Sequence, residues 1–300
     1  MGAEHALAEP FTLASTVTLK RAGTKLPRLG FGVYKSENAL ASAAHALAMG
    51  YRHIDSARMY RNEREVCQAV QKFSKPSDVK DVGGVHNEGT GKVWLTTKVA
   101  SNEHGEEATR KAVEESAKTA GEFGLKWDLF LLHDPTGGRE KRLEAWKALV
   151  EARDAGKIGA IGVSNFSEKH LEQLKEAGLE TPDVNQIELH PFCQQKPIVE
   201  YCQKEGIVVE AYCPILRGQR FDDPTIVKIS EKHSVDPARI LIRWSLQKGF
   251  VPLPKSDTLS RIERNRDLEG FELDAEDMKA LDSLDEAEKG AVSWNPVNAD

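Results

Sequence analysis

The chain has few cysteines, no long apolar run and no excess of basic charge, and each shortage removes a class of function. Its four cysteines, Cys67, Cys193, Cys202 and Cys213, form no CxxC pair and follow no regular spacing. Thiols scattered in this way suit a reducing compartment better than a disulfide framework, so a cytoplasmic protein is expected. No segment reaches the ~20 apolar residues of a membrane span. Met1 to Pro10 holds no apolar run of signal length, and Ala6 breaks the myristoylation pattern. Lys and Arg number 41 against 47 Asp and Glu, a net charge of -6, with neither sign gathered into a block. Neither nucleic acid nor an anionic membrane is therefore expected as a partner. A glycine-rich dinucleotide turn is missing too. Gly30 and Gly32 fall inside the first predicted strand without a G-x-G-x-x-G, which argues against an open doubly wound sheet.

What is present is a repeat. Hydrophobic residues make up 40% of the 300 and charged residues 29%, enough to close a sizeable core. Short apolar runs alternate with amphipathic ones from residue 29 to residue 270, the pattern of βα units on a parallel sheet. The runs predict strands over Leu29–Val33, Tyr51–Asp55, Val93–Val99, Trp127–Leu132, Ile158–Val163, Val184–Glu188, Val208–Tyr212 and Phe250–Leu253. Helices are predicted over Ala39–Met49, Glu63–Phe73, Glu106–Phe123, Arg142–Ala155, Glu168–Ala177, Pro197–Lys204, Pro237–Gln247 and Leu259–Arg266. Eight such pairs predict an α/β fold of the closed (β/α)₈ TIM-barrel type, one domain over residues 1–300. An N-terminal β-hairpin, Phe11–Leu19 meeting Lys20–Pro27, should plug one end. Ser74–Gly91 reads as a long exposed loop on the face away from the chemistry, and the C-terminal tail after Leu284 is short.

Catalysis in such a barrel belongs at the C-terminal strand ends. Those ends carry Asp55, Lys98, His133, Ser164, Asn165, Gln186 and Tyr212, with Tyr60 in the loop after Asp55. A phenol, an ammonium, a carboxylate and an imidazole at one mouth suit carbonyl reduction. Tyr60 would protonate the growing alkoxide, Lys98 would draw the phenol from its ordinary pKa of ~10 towards working pH, Asp55 would hold the lysine, and a neutral His133 would orient the carbonyl. Singly, an Asp–Lys pair is more often structural and a lone His more often core; their joint placement favours the chemical reading.

These residues also resemble a known family, the aldo-keto reductases. Gly50-Tyr51-Arg52-His53-Ile54-Asp55-Ser56-Ala57 with Tyr60, Asn62 and Glu63 is similar to the family's first signature. Gly162-Val163-Ser164-Asn165-Phe166 is similar to the second, and Leu253-Pro254-Lys255-Ser256 with Arg261 and Asn265 to the third. The resemblance implies a monomeric, NADPH-dependent enzyme that interconverts carbonyls and alcohols, with Asp55, Tyr60, Lys98 and His133 as its tetrad and no metal. It also implies that Ser164, Asn165 and Gln186 bind the nicotinamide carboxamide and that Tyr212 stacks on the ring. Pro214, Ile215 and Arg217 would pass over the pyrophosphate, Lys255, Ser256 and Arg261 would bind the 2′-phosphate, and Asn265 would meet the adenine.

Departures from the pattern bear on cofactor and substrate. Cys67 stands where the first signature ends in glycine, and Arg264 where a small, amide or acidic residue is usual beside the adenine. Tyr34, Ala100 and Asp134 occupy positions where members with aromatic pockets carry tryptophan, so Tyr34, His133 and Asp134 should line a more polar substrate mouth that handles hydroxylated carbonyls at least as well as flat aromatic aldehydes. Trp294 could cover that mouth or pack on the barrel wall. Two rival readings remain. A nicotinamide-binding regulatory or structural protein on the same barrel would bind cofactor with little turnover. A barrel hydrolase would use paired carboxylates, and Glu188 with Asp134 is the visible pair.

Overall fold

The computed structural model describes residues 10–73 and 92–300. The expectations for residues 1–9 and for the Ser74–Gly91 loop therefore lie outside the described residues. Eight parallel strands form one sheet in sequential order: β3 (Phe31–Gly32), β4 (His53–Asp55), β5 (Trp94–Val99), β6 (Leu129–Leu132), β7 (Ala160–Ser164), β8 (Val184–Glu188), β9 (Val208–Tyr212) and β10 (Val251–Pro252). Backbone bonds from Gly30 N to Pro252 O (3.1 Å) and from Gly32 N to Pro254 O (3.0 Å) join the first strand to the last, curling the sheet into the (β/α)₈ form. Glycine is required at the seam: a Cβ on Gly30 would run into the Leu253 side chain and come within 2.8 Å of His53 Nδ1.

Side chains alternate in and out of the barrel with the strand period of two. Outward residues such as Ile54, Leu95, Phe130, Ile161, Ile187 and Val209 belong to the large core between sheet and helices. Inward residues form a smaller core in which Trp94, Leu129, Leu131, Val184, Val208 and Val251 meet Val17, Leu19 and Leu26. Those last three come from the hairpin of β1 (Thr16–Thr18) and β2 (Lys25–Pro27), so the predicted hairpin does plug the barrel floor. With the floor closed by apolar side chains, the described residues leave the cleft at the opposite end.

The helices are α1 (Ala39–Ala48), α2 (Glu63–Phe73), α3 (Glu106–Gly121), α4 (Arg139–Asp154), α5 (Glu168–Glu176), α6 (Lys196–Glu205), α7 (Pro224–His233), α8 (Pro237–Gln247), α9 (Leu259–Arg266) and α10 (Ala275–Asp282). Ser167 and His170 form a capping box on α5, and the Asp236 side chain caps α8 ahead of Pro237, as their sequence suggests. Helices α7 and α10 were not foreseen, because a strict strand–helix count leaves no place for them. Their caps were nevertheless visible: Asp223 precedes Pro224, and Asp274 forms a capping box with Asp277. Helix α4 begins three residues earlier than predicted, directly after Gly138 at φ 83°.

Candidate active site

Period-two alternation puts the last inward residue of β4, Asp55, beside the inward Lys98 of β5. The ammonium of Lys98 is fully buried and donates to Asp55 Oδ2 at 2.7 Å and to the Ser56 carbonyl at 2.9 Å. Its remaining hydrogen points to Tyr60 Oη at 3.5 Å. Tyr60 reaches that point because a single 3₁₀ turn, Arg58–Tyr60, folds the chain back over the strand end, closing on Arg61 in the left-handed region. His133 follows β6 directly, its Nε2 also 3.5 Å from Tyr60 Oη. Lys98 and His133 therefore converge on the Tyr60 phenol oxygen, with Asp55 holding the lysine from behind.

Burial and then the Asp55 charge hold the Tyr60 phenol well above its ordinary pKa. The Lys98 ammonium lies 2.7 Å from Asp55 Oδ2 and 3.5 Å from the phenol oxygen, so the carboxylate offsets part of its charge there. Burial, reinforced by the Lys98 charge, pushes His133 down to about 3, which leaves a neutral imidazole as expected.

Beneath this layer lies a second polar layer that sequence reasoning missed. Gln186 Nε2 donates both to Asp55 Oδ1 at 3.0 Å and to Glu210 Oε2 at 2.7 Å. His53 Nε2 contacts Thr96 Oγ1 at 3.0 Å and lies 3.8 Å from Glu210 Oε1. Two carboxyls, Asp55 and Glu210, are thus joined through one amide nitrogen, with the Lys98 ammonium bound to Asp55. Burial and the Asp55 charge push Glu210 up to about 8. Period two from Tyr212 along β9 would have placed Glu210 on the inward face, and that signal was available. The arrangement also limits Gln186, whose amide hydrogens are both spent on Asp55 and Glu210.

A cleft of about 930 Å³ opens over these groups and runs to α9. At the tetrad end, Ser164 Oγ donates to Gln186 O at 2.7 Å, and Asn165, at φ 62°, donates to His133 O at 3.0 Å. The Tyr212 hydroxyl bonds Asn165 Oδ1 at 2.8 Å. Pro214, Ile215 and Arg217 line one wall, with Cys213, Leu216 and Arg217 in the left-handed region. At the far end stand Lys255, Ser256, Arg261, Arg264 and Asn265, together with Asp257, which had not been singled out. The cleft thus joins every expected cofactor residue to the tetrad.

The substrate expectation needs correction. Asp134 is buried and does not line the cleft; its carboxylate turns away to accept Ser101 N at 3.2 Å and Thr136 N at 3.0 Å. Local turn formation claims its oxygens, so they are not directed at the cleft that was expected to take the substrate. The mouth is instead rimmed by the exposed apolar side chains of Tyr34, Met59 and Trp294, the Tyr34 ring 4.9 Å from that of Tyr60. Trp294 is held there because buried Glu188 accepts Val292 N at 2.5 Å and Ser293 N at 3.1 Å. Glu188 therefore anchors the tail, and with Asp134 also facing away the hydrolase reading loses its carboxylate pair.

The comparisons agree with this architecture. The model of the Aldo/keto reductase family matches residues 22–286. A glyoxal reductase of Bacillus subtilis is 39% identical over 290 residues, covering 96% of this chain and 98% of the relative. Among solved structures, an aldo-keto reductase from a Medee basin deep-sea metagenome library superposes with a TM-score of 0.83 at 33% identity, over 95% of this chain and 100% of that one. A Bombyx mori aldo-keto reductase in complex with NADP gives 0.81 at 29% identity, over 94% and 96%. With the family model spanning most of the length and this barrel shared with known reductases, the chain belongs to the aldo/keto reductase family and is an oxidoreductase of carbonyl groups.

Proposed function

We propose that the protein reduces an aldehyde or ketone with NADPH, taking the proton from Tyr60. The observation that carries this reading is the placement of Tyr60 Oη 3.5 Å from both Lys98 Nζ and His133 Nε2 at the inner end of the cleft. The residues fit the cofactor. A trio of amide and hydroxyl groups and the Tyr212 ring lie beside the tetrad, while two cations and a hydroxyl stand at the far end, where a phosphate dianion would sit. When bound, NADPH supplies the hydride that converts the carbonyl carbon to an alcohol carbon. Lys98 donates to the phenol oxygen, so the phenolic hydrogen is free to point at the substrate oxygen beside His133. Transfer of that proton leaves a phenolate next to the ammonium, which stabilises it, and solvent through the cleft restores the phenol. The reading includes a single domain over residues 1–300, a monomer, and a cytoplasmic location in keeping with four free thiols. Consumption of NADPH in the presence of a panel of aldoses, uronic acids, α-keto esters and aromatic aldehydes tests it; tight NADPH binding without turnover of any of them would favour the regulatory alternative.

The rim of Tyr34, Met59 and Trp294 points to a carbonyl with an apolar or aromatic arm, since exposed apolar groups gathered at a cleft are normally covered by a ligand. Aromatic aldehydes should be better substrates than aldoses. Trp294→Ala should raise KM for an aromatic aldehyde roughly five- to tenfold, since an aromatic pair adds ~0.5–1.5 kcal/mol beyond its area. Equal KM changes for an aldose would sink the assignment.

At the other end, Arg261→Ala should weaken NADPH binding by ~1.5–3 kcal/mol, the share of a charged hydrogen bond, and leave NADH binding nearly unchanged. Equal losses for both would remove Arg261 from the 2′-phosphate site.

A further inference from the structure

The far end of the cleft contains a carboxylate where an anion is expected to bind. Lys255 Nζ bonds Asp257 Oδ2 at 2.5 Å and the Lys35 carbonyl at 3.3 Å. The other oxygen of Asp257 accepts the hydroxyls of Ser36 and, at 3.0 Å, Ser42, while Glu37 N lies 3.4 Å from Oδ2. One side chain thus clasps the loop after β3 and the start of α1 to the loop after β10, and it sits on one of the cations assigned to the phosphate. Partial burial works against its charge, but the bonds from Lys255 and Ser36 more than offset this and hold the carboxyl below its ordinary range. Arg261 differs: among the described residues it makes no ion pair, so its guanidinium remains available.

We propose that Asp257 is a selectivity residue for the cofactor: tied to Lys255 and clasped by Ser36 and Ser42, it reduces the site's preference for a 2′-phosphorylated nicotinamide dinucleotide over an unphosphorylated one. The inference rests on the assignment of Lys255, Ser256 and Arg261 to the 2′-phosphate. A dianion approaching Lys255 meets an ammonium already neutralised at 2.5 Å. Either the pair must open or the phosphate must lie beside a like charge, and the hydroxyls of Ser36 and Ser42 keep that charge in place. A 2′-hydroxyl carries no charge to be repelled and could donate to the same carboxylate. The residue therefore acts against NADPH and is neutral or favourable towards NADH.

The test is titration of the full chain with NADPH and with NADH, followed by quenching of tryptophan fluorescence, for wild type, Asp257→Asn, Asp257→Ser and Arg261→Ala. Both Asp257 variants should bind NADPH about five- to twentyfold more tightly at low salt, with the gain shrinking at high salt as a screened charge effect does. NADH should bind equally well or less well. The serine variant keeps a hydroxyl for the clasp, so it carries the test if the asparagine variant does not fold. NADPH affinity that is unchanged or weakened, or tightened equally for both cofactors, would overturn the inference if Arg261→Ala still separates the two. If Arg261→Ala does not separate them, the phosphate assignment itself fails.

Discussion

Replacing Tyr60 by phenylalanine is expected to lower carbonyl reduction at saturating NADPH by ~10²–10⁴-fold, the usual contribution of a positioned general acid. NADPH affinity should hardly change, since Asn165, Tyr212 and the distal cations are untouched. The substitution removes one oxygen and little else. The ring keeps its contacts with Tyr34, 4.9 Å away, and with His133, 5.5 Å away. Lys98 still has Asp55 at 2.7 Å and the Ser56 carbonyl at 2.9 Å, so its charge remains satisfied and the melting temperature should stay near that of the wild type. Lys98→Met offers the contrast. It deprives the phenolate of its stabilising charge, and it also strands a buried carboxylate, which typically costs ~3–5 kcal/mol, so activity and melting temperature should fall together. The proton-donor role would be sunk by a folded, NADPH-saturated Tyr60→Phe protein working within about tenfold of the wild-type rate. His133 would then be the nearest candidate, although its imidazole, pushed down to about 3, holds no ionic proton to give at neutral pH.

How far the sequence reveals this site depends on which physical signal each residue carries. Asp55, Lys98 and His133 were legible because strand ends can be read from apolar runs, and a barrel sends its strand ends to one mouth. Glu210 shares its strand with Tyr212 and was equally legible by period two, yet a carboxylate within an apolar run signals nothing until its neighbours across the sheet are known. Asp134 misled for the opposite reason. Its position next to His133 suggested the mouth, but the turn at Thr136 offers its oxygens a backbone N–H and a hydroxyl, and short polar side chains follow such local bonds. Trp294 could not be placed from the sequence because its location depends on Glu188, more than a hundred residues away, accepting the tail's backbone. The extra helices α7 and α10 carried clear caps, and only the assumption of one helix per strand concealed them.

Four buried titratable groups near the tetrad contribute to stability with opposite signs on the two sides of about pH 6.5. Burial is the main cause pushing His53 and His133 down to about 3 and His104 down to about 4. In the unfolded chain each imidazole binds a proton below ~6.5, so as pH falls from there the unfolded state takes up protons that the fold refuses. Stability then declines by ~1.4 kcal/mol per pH unit for each such ring. Glu210 acts in the other direction. The fold keeps its proton up to about 8, whereas the unfolded carboxyl releases it above ~4.3, so stability declines with rising pH between those values by a similar amount per unit. Below pH 6.5 three rings outweigh one carboxyl; above it Glu210 acts without them until it ionises. Glu210→Gln separates the two limbs, because the amide oxygen can still accept from Gln186 Nε2 but the side chain cannot ionise. Measured by urea unfolding, the variant should gain on the wild type steadily from pH 5 to pH 8, reaching on the order of 2–4 kcal/mol, and no further above that. A difference that does not vary with pH would mean that Glu210 is already ionised in the fold. Lys98 would then be balancing two carboxylates, and the tetrad would operate under a net negative charge that disfavours the phenolate it must form.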